Sequence, residues 1–148
     1  MYLVCDIYGK LMDWKKDGFS VLELDGVRQY GNVCMVYKFA EKNFSTVISI
    51  NLLEKSGRQF LECYKGAAGM GFTSGFPKSE NPLYDALRMF HPDFADTEDT
   101  VVIIDEIQES EDLYHQIYAS FQCFRCRFIV TGNGGGEYQR YAGHMDLA

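Results

Sequence analysis

The chain has 148 residues, 47% of them hydrophobic and 15% aromatic, and a formal net charge of −7 at pH 7. That length fits one domain spanning residues 1–148, and the apolar content suffices for a real core and argues against disorder. The acidic balance excludes a broad nucleic-acid or anionic-membrane surface, and the absence of a signal-like or membrane-spanning apolar run sets a cytoplasmic protein as the expectation.

In chain order, residues 2–16 predict an amphipathic helix, with Ile7, Leu11 and Trp14 on one face and Lys10, Lys15 and Lys16 toward water. Asp17-Gly18 breaks it. Phe19 to Leu24 reads as a first strand and leads into Asp25-Gly26-Val27-Arg28-Gln29-Tyr30-Gly31-Asn32-Val33, a loop with two glycines five apart. Val36, Phe39 and Ala40 then form a helical stripe that Asn43 can stop. Strand, glycine loop and helix in that order are the context a phosphate-binding loop requires.

Thr46 to Ile50 is a second strand ending at Asn51. Residues 52–80 read poorly: Leu52 to Tyr64 is compatible with a helix, and the glycines from Gly66 to Gly75 suggest a flexible connection rather than a phosphate cradle, since no strand precedes them. Asn81-Pro82 is a helix start, a cap followed by proline in the first turn, with Leu83, Leu87 and Phe90 as the apolar face.

Thr100-Val-Val-Ile-Ile-Asp105-Glu106 is the most informative stretch. Four apolar, β-branched residues in a row predict a strand buried on both faces, an inner strand of a parallel sheet. Ligands of open α/β sheets bind beyond the carboxyl ends of the strands, so Asp105 and Glu106 stand where a site would be. A buried strand with a polar exit is the plain alternative. Ser110 can cap a helix bearing Leu113, Ile117 and Phe121, on which Tyr114 and Tyr118 read as packing and His115 as a surface residue. Arg127 to Gly132 is a fourth strand, followed by Asn133. From Glu137 onward no periodicity is legible. The five cysteines suit buried, reduced thiols; Cys123-Phe-Arg-Cys126 has zinc-like spacing but no second pair and no paired histidine.

These residues together resemble the AAA-type P-loop ATPases of bacteria and archaea, which carry a loop GARQVGKT, a strand ending in DEIQ and a later strand ending in TGS. Asp105-Glu106-Ile107-Gln108 resembles the second motif, and Thr131-Gly132-Asn133 the third. The resemblance covers residues 2 to 133 and implies a three-layer P-loop NTPase-like α/β domain with a mainly parallel sheet of about four strands. It further implies that the central strand lies beside the loop-bearing strand or one away from it. In the family's roles, Gly26, Arg28, Gln29, Gly31, Asn32, Val33 and Asn133 would face nucleotide, Asp105 would hold Mg²⁺ through its carboxylate, and Glu106 would polarise the attacking water.

The departures from the family pattern are chemical. Aligning Gly26 and Gly31 with the loop glycines puts Asn32 at the lysine position and Val33 at the magnesium-binding Ser/Thr position. Charged hydrogen bonds are worth about 1.5–3 kcal/mol each, so losing two contacts weakens binding by a factor of about hundreds or more. The family's later fifth strand and helical lid are not legible, so the domain reads as truncated at its C-terminus and without the lid. The expectation is a degenerate ATPase domain, with weak or lost ATP and Mg²⁺ binding and no hydrolysis. Two alternatives are an ATPase completed by a partner or by a longer chain, and a module that binds a protein or itself through aromatic surface.

Overall fold

The computed structural model describes residues 2–18, 20–25, 30–69, 80–132 and 144–146. The chain runs α1 (Tyr2–Asp17), β1 (Val21–Asp25), α2 (Tyr30–Asn43), β2 (Thr46–Asn51), α3 (Lys55–Ala67), α4 (Pro82–Phe90), β3 (Thr100–Asp105), α5 (Glu111–Ser120), β4 (Arg127–Gly132) and β5 (His144–Asp146). Short 3-10 turns at Ile107–Glu109 and Phe121–Cys123 flank α5.

Local chemistry sets most of these boundaries. Gly18, at φ +83°, takes the left-handed conformation that ends α1. The Asn43 side chain closes α2 by donating to the Phe39 carbonyl at 2.8 Å. Asn81 caps α4 by accepting the Tyr84 amide at 3.2 Å, with Pro82 at the first turn, and Ser110 caps α5 by accepting the Leu113 amide at 3.2 Å. Gly57 has a steric reason: a Cβ there would lie 1.8 Å from the Asn51 carbonyl oxygen, so only glycine lets α3 start this close to the end of β2.

The sheet is five-stranded in the order β2-β3-β4-β1-β5, and every pairing is parallel. All six residues of β3 are buried. Successive side chains alternate between faces: Val101 and Ile103 join Leu11 and Trp14 of α1 and Val36, Phe39 and Ala40 of α2. Val102 and Ile104 join Phe60 and Tyr64 of α3, Leu83 and Leu87 of α4, and Leu113 and Ile117 of α5. The sheet is therefore the middle of three layers. From β1 to β2 the chain moves three positions across the sheet in one direction, then returns one position at a time through β3 to β4. Right-handed crossovers require opposite faces for opposite directions of travel, and α2 is indeed separated from α3, α4 and α5 by the sheet.

The expected parallel sheet of about four strands is β1 to β4, and two element bounds shift. His144–Asp146 adds a short fifth strand by pairing with β1 from Glu23↔His144 to Asp25↔Asp146. Three residues, His-Met-Asp, are too short and too polar to show a period, and only pairing defines them as a strand. Of the two shifted bounds, the first is that of α2, which begins at Tyr30, so Gly31, Asn32 and Val33 are the first helical turn rather than loop. The second is that of α3, which begins at Lys55 and runs on to Ala67.

Candidate functional site at the carboxyl edge of the sheet

Because all strands are parallel, their carboxyl ends share one edge. The register places Asp25 opposite Gly132 and Asn51 opposite Asp105. β4 lies between β1 and β3, so the Asp-Glu strand is one away from the strand that leads into the glycine loop. β1 continues to α2 on one face and β3 to α5 on the other, which makes this edge a topological switch point where a crevice opens. Of the residues that the sequence nominated, Asp105 and Glu106 stand at this edge. Gly31, Asn32 and Val33 form the backbone of the first turn of α2. Gly26, Arg28, Gln29 and Asn133 lie outside the described residues.

Asp105 has the parity of Val101 and Ile103, so its carboxylate turns toward α2. It is 8% exposed. Thr131 of β4 donates its hydroxyl to Oδ1 at 2.8 Å. The Tyr37 hydroxyl of α2 donates to Oδ2. Ser49 of β2 lies 2.9 Å from the same phenol oxygen. Burial pushes the Asp105 carboxyl above the usual carboxylate range, while the bonds from Tyr37 and Thr131 pull it back. Burial, and then the charge of Asp105, pushes the Tyr37 phenol well above its ordinary value of 10.0, so the phenol stays a donor.

Glu106 is built differently. It has φ 61° and ψ 46°, alone among the described non-glycine residues in having a positive φ. Such a conformation costs about 1–3 kcal/mol. The turn it makes sends Ile107 into the core, 1% exposed, and lets Gln108 donate to Glu106 Oε2 at 2.9 Å. The same turn presses on β4: a Cβ at Gly132 would lie 2.8 Å from Ile107 Cγ2 and 3.1 Å from Gln108 Oε1. The Asp-Glu-Ile-Gln and Thr-Gly motifs are thus one contact, joined at Gly132 and again at Thr131–Asp105.

On the other face of the sheet, Glu23 of β1 is 5% exposed. It accepts the hydroxyls of Tyr114 at 3.0 Å and Tyr118 at 2.7 Å, both from α5. These tyrosines pack as expected, and they also hold a buried carboxylate. Burial and the Glu23 bond push the Tyr118 phenol upward. His115 is exposed and sits 3.9 Å from Glu111. Cys126 is buried, its amide donating to Asp96, while Cys123 is exposed.

Sequence reasoning missed Tyr37, Thr131 and Gln108 as parts of the site. Thr131 and Gln108 were quoted within motifs without roles. Tyr37 had a readable signal: it follows Val33 by four residues and so shares its helix face.

No protein-family model and no curated sequence matches the chain. Among solved structures it is similar to a Walker-type ATPase of Pyrococcus abyssi, with a TM-score of 0.53 and 14% identity over 96% of this chain. The fold is P-loop ATPase-like. The match covers 52% of that ATPase, so the chain spans about half its length. No helix among the described residues is long and apolar enough to cross a membrane.

A P-loop ATPase-like site needs a carboxylate at the end of β3 that turns toward a metal-bound water. Here both Asp105 oxygens accept protein hydroxyls, and Glu106 accepts Gln108. Among the described residues no three His, Cys, Asp or Glu side chains converge on a cation position. In this arrangement a cation reaching Asp105 would have to share each oxygen with a protein hydroxyl.

Proposed function

We propose that the chain is a degenerate AAA-type ATPase domain: a P-loop scaffold that binds ATP and Mg²⁺ weakly or not at all and does not hydrolyse ATP. One observation carries this reading. The carboxylate that would hold the metal accepts protein hydroxyls, from Tyr37 and Thr131, on its two oxygens. Two sequence features support it, Asn32 at the lysine position and Val33 at the Ser/Thr position. Asn32 supplies no positive charge for the β- and γ-phosphates, and Val33 has no lone pair for a metal. The α2 first-turn amides remain a place where an anion is favoured, which is why the reading is weak binding as well as loss.

The strained turn at Glu106 favours a second reading, since strain of this kind clusters at active sites: an ATPase completed by a partner or by a longer chain. Calorimetric titration with ATP and ADP, with and without Mg²⁺, separates the two. The degenerate reading expects no saturable, magnesium-dependent heat, and phosphate release no faster than that of a Glu106→Gln variant. Saturable Mg-ATP binding with turnover above Glu106→Gln overturns it. If the domain instead serves a protein partner or a second copy of itself, light scattering shows a mass that rises with concentration while the titration stays blank.

A further inference from the structure

We infer that Tyr37 is the residue that closes this site to a divalent cation, its phenol standing on Asp105 where a metal-borne water would stand. The inference rests on the degenerate reading above and names the residue responsible. Helical side chains lean toward the N-terminus, and one turn rises about 5.4 Å. A tyrosine at 37 therefore carries its hydroxyl back to the level of the turn at 33, where the hydroxyl expected by resemblance has been replaced by valine. A hydroxyl is thus restored to the site from one turn further along, on a bulky ring rather than a short side chain.

The hydrogen bonding fixes the direction of each proton. The phenol has one proton and gives it to Asp105 Oδ2. Ser49 therefore donates to the phenol oxygen, at 2.9 Å. Thr131 donates to the other carboxylate oxygen at 2.8 Å. Residues of α2 and β4 thus bond one carboxylate of β3, with Ser49 of β2 behind the phenol, and the direct phenol–carboxylate contact takes the place on Oδ2 that an ion's water would need. Losing the loop lysine and hydroxyl would weaken nucleotide; the Tyr37 contact acts separately, on the cation.

The test uses Mn²⁺ as the probe, followed by electron paramagnetic resonance as free Mn²⁺ signal is lost. The whole chain is compared with Tyr37→Phe and with Tyr37→Phe combined with Asp105→Asn. Tyr37→Phe keeps the ring and removes only the hydroxyl. It should bind Mn²⁺ more tightly than the unaltered chain by roughly tenfold to a hundredfold, the equivalent of one charge-assisted hydrogen bond. Asp105→Asn should abolish that gain. Equal Mn²⁺ binding by the unaltered chain and Tyr37→Phe overturns the inference, whether both bind or neither does. Should Tyr37→Phe not fold, paramagnetic broadening in the unaltered chain decides. Resonances of Asp105 and Thr131 that stay sharp with millimolar Mn²⁺ support closure, and broadening there refutes it. If neither protein takes up Mn²⁺ and the ATP titration is also blank, the Tyr37 inference alone fails. If the unaltered chain binds Mg-ATP, the degenerate reading itself fails.

Discussion

Gly132 ends β4 where the turn after β3 crosses it, and its missing Cβ makes room for Ile107 at a hypothetical 2.8 Å. Ile107 cannot give way easily, since it is 1% exposed and packed into the core. Gly132→Ala is therefore expected to destabilise the fold by about 1–3 kcal/mol, the usual cost of overpacking a well-filled site. Urea denaturation measures this. An unchanged midpoint would mean that the Ile107 turn is loose and that its coupling to β4 is weak. At the same scale, Asp105 and Glu106 differ by one position in sequence and by a whole environment in space. One is held by hydroxyls inside the sheet edge; the other is exposed enough to be half-buried and is tied to Gln108.

Between elements, α5 is held to β1 by more than apolar contact. Leu113 and Ile117 supply the packing, and Tyr114 and Tyr118 supply two hydroxyls to the Glu23 carboxylate. A buried carboxylate is tolerated only when hydrogen-bonded, and removing one of its donors leaves part of its desolvation uncompensated. Tyr118→Phe should cost about 1.5–3 kcal/mol of stability, the range for hydrogen bonds to charged groups. Tyr118→Phe made in a Glu23→Leu background should cost clearly less, because the acceptor has gone. A double-mutant cycle by chemical denaturation measures the difference. Equal costs in both backgrounds would show that the Tyr118 ring, rather than its hydroxyl, ties α5 to the sheet.

At the scale of the molecule, four groups of the described residues that titrate in the alkaline range share one bias. Burial is the largest cause that raises Tyr37, Tyr64 and Tyr118 above the ordinary 10.0 and Cys126 above 9.0. In each case the unfolded chain loses its proton first, so above about pH 9 the unfolded state binds fewer protons than the folded one. Stability must then fall as pH rises. Urea midpoints should decline steadily through the alkaline range, and the share of tyrosinate absorbance that Tyr37, Tyr64 and Tyr118 contribute should appear only as the chain unfolds. Ionisation of all ten tyrosines with the fold intact would refute this account.

Much of the architecture was legible without coordinates, for stated physical reasons. The run Val101–Ile104 is apolar at every position, which is tolerable only in a strand covered on both faces. Asn81-Pro82 and Ser110 are caps whose chemistry is local, and the stripe of Val36, Phe39 and Ala40 has the helical period. β5 was not legible, since three residues at a sheet edge acquire their conformation from β1 and carry no pattern of their own. The nature of the site divides in the same way. Sequence alone determined that a strand ends in Asp105-Glu106 and that Asn32 and Val33 follow Gly31, because residue identity and order along one element are local facts. Only the tertiary structure decided that both Asp105 oxygens accept hydroxyls, because Tyr37, Ser49 and Thr131 come from three other elements, and nothing but the packing of α2, β2 and β4 around the end of β3 brings their hydroxyls into one network.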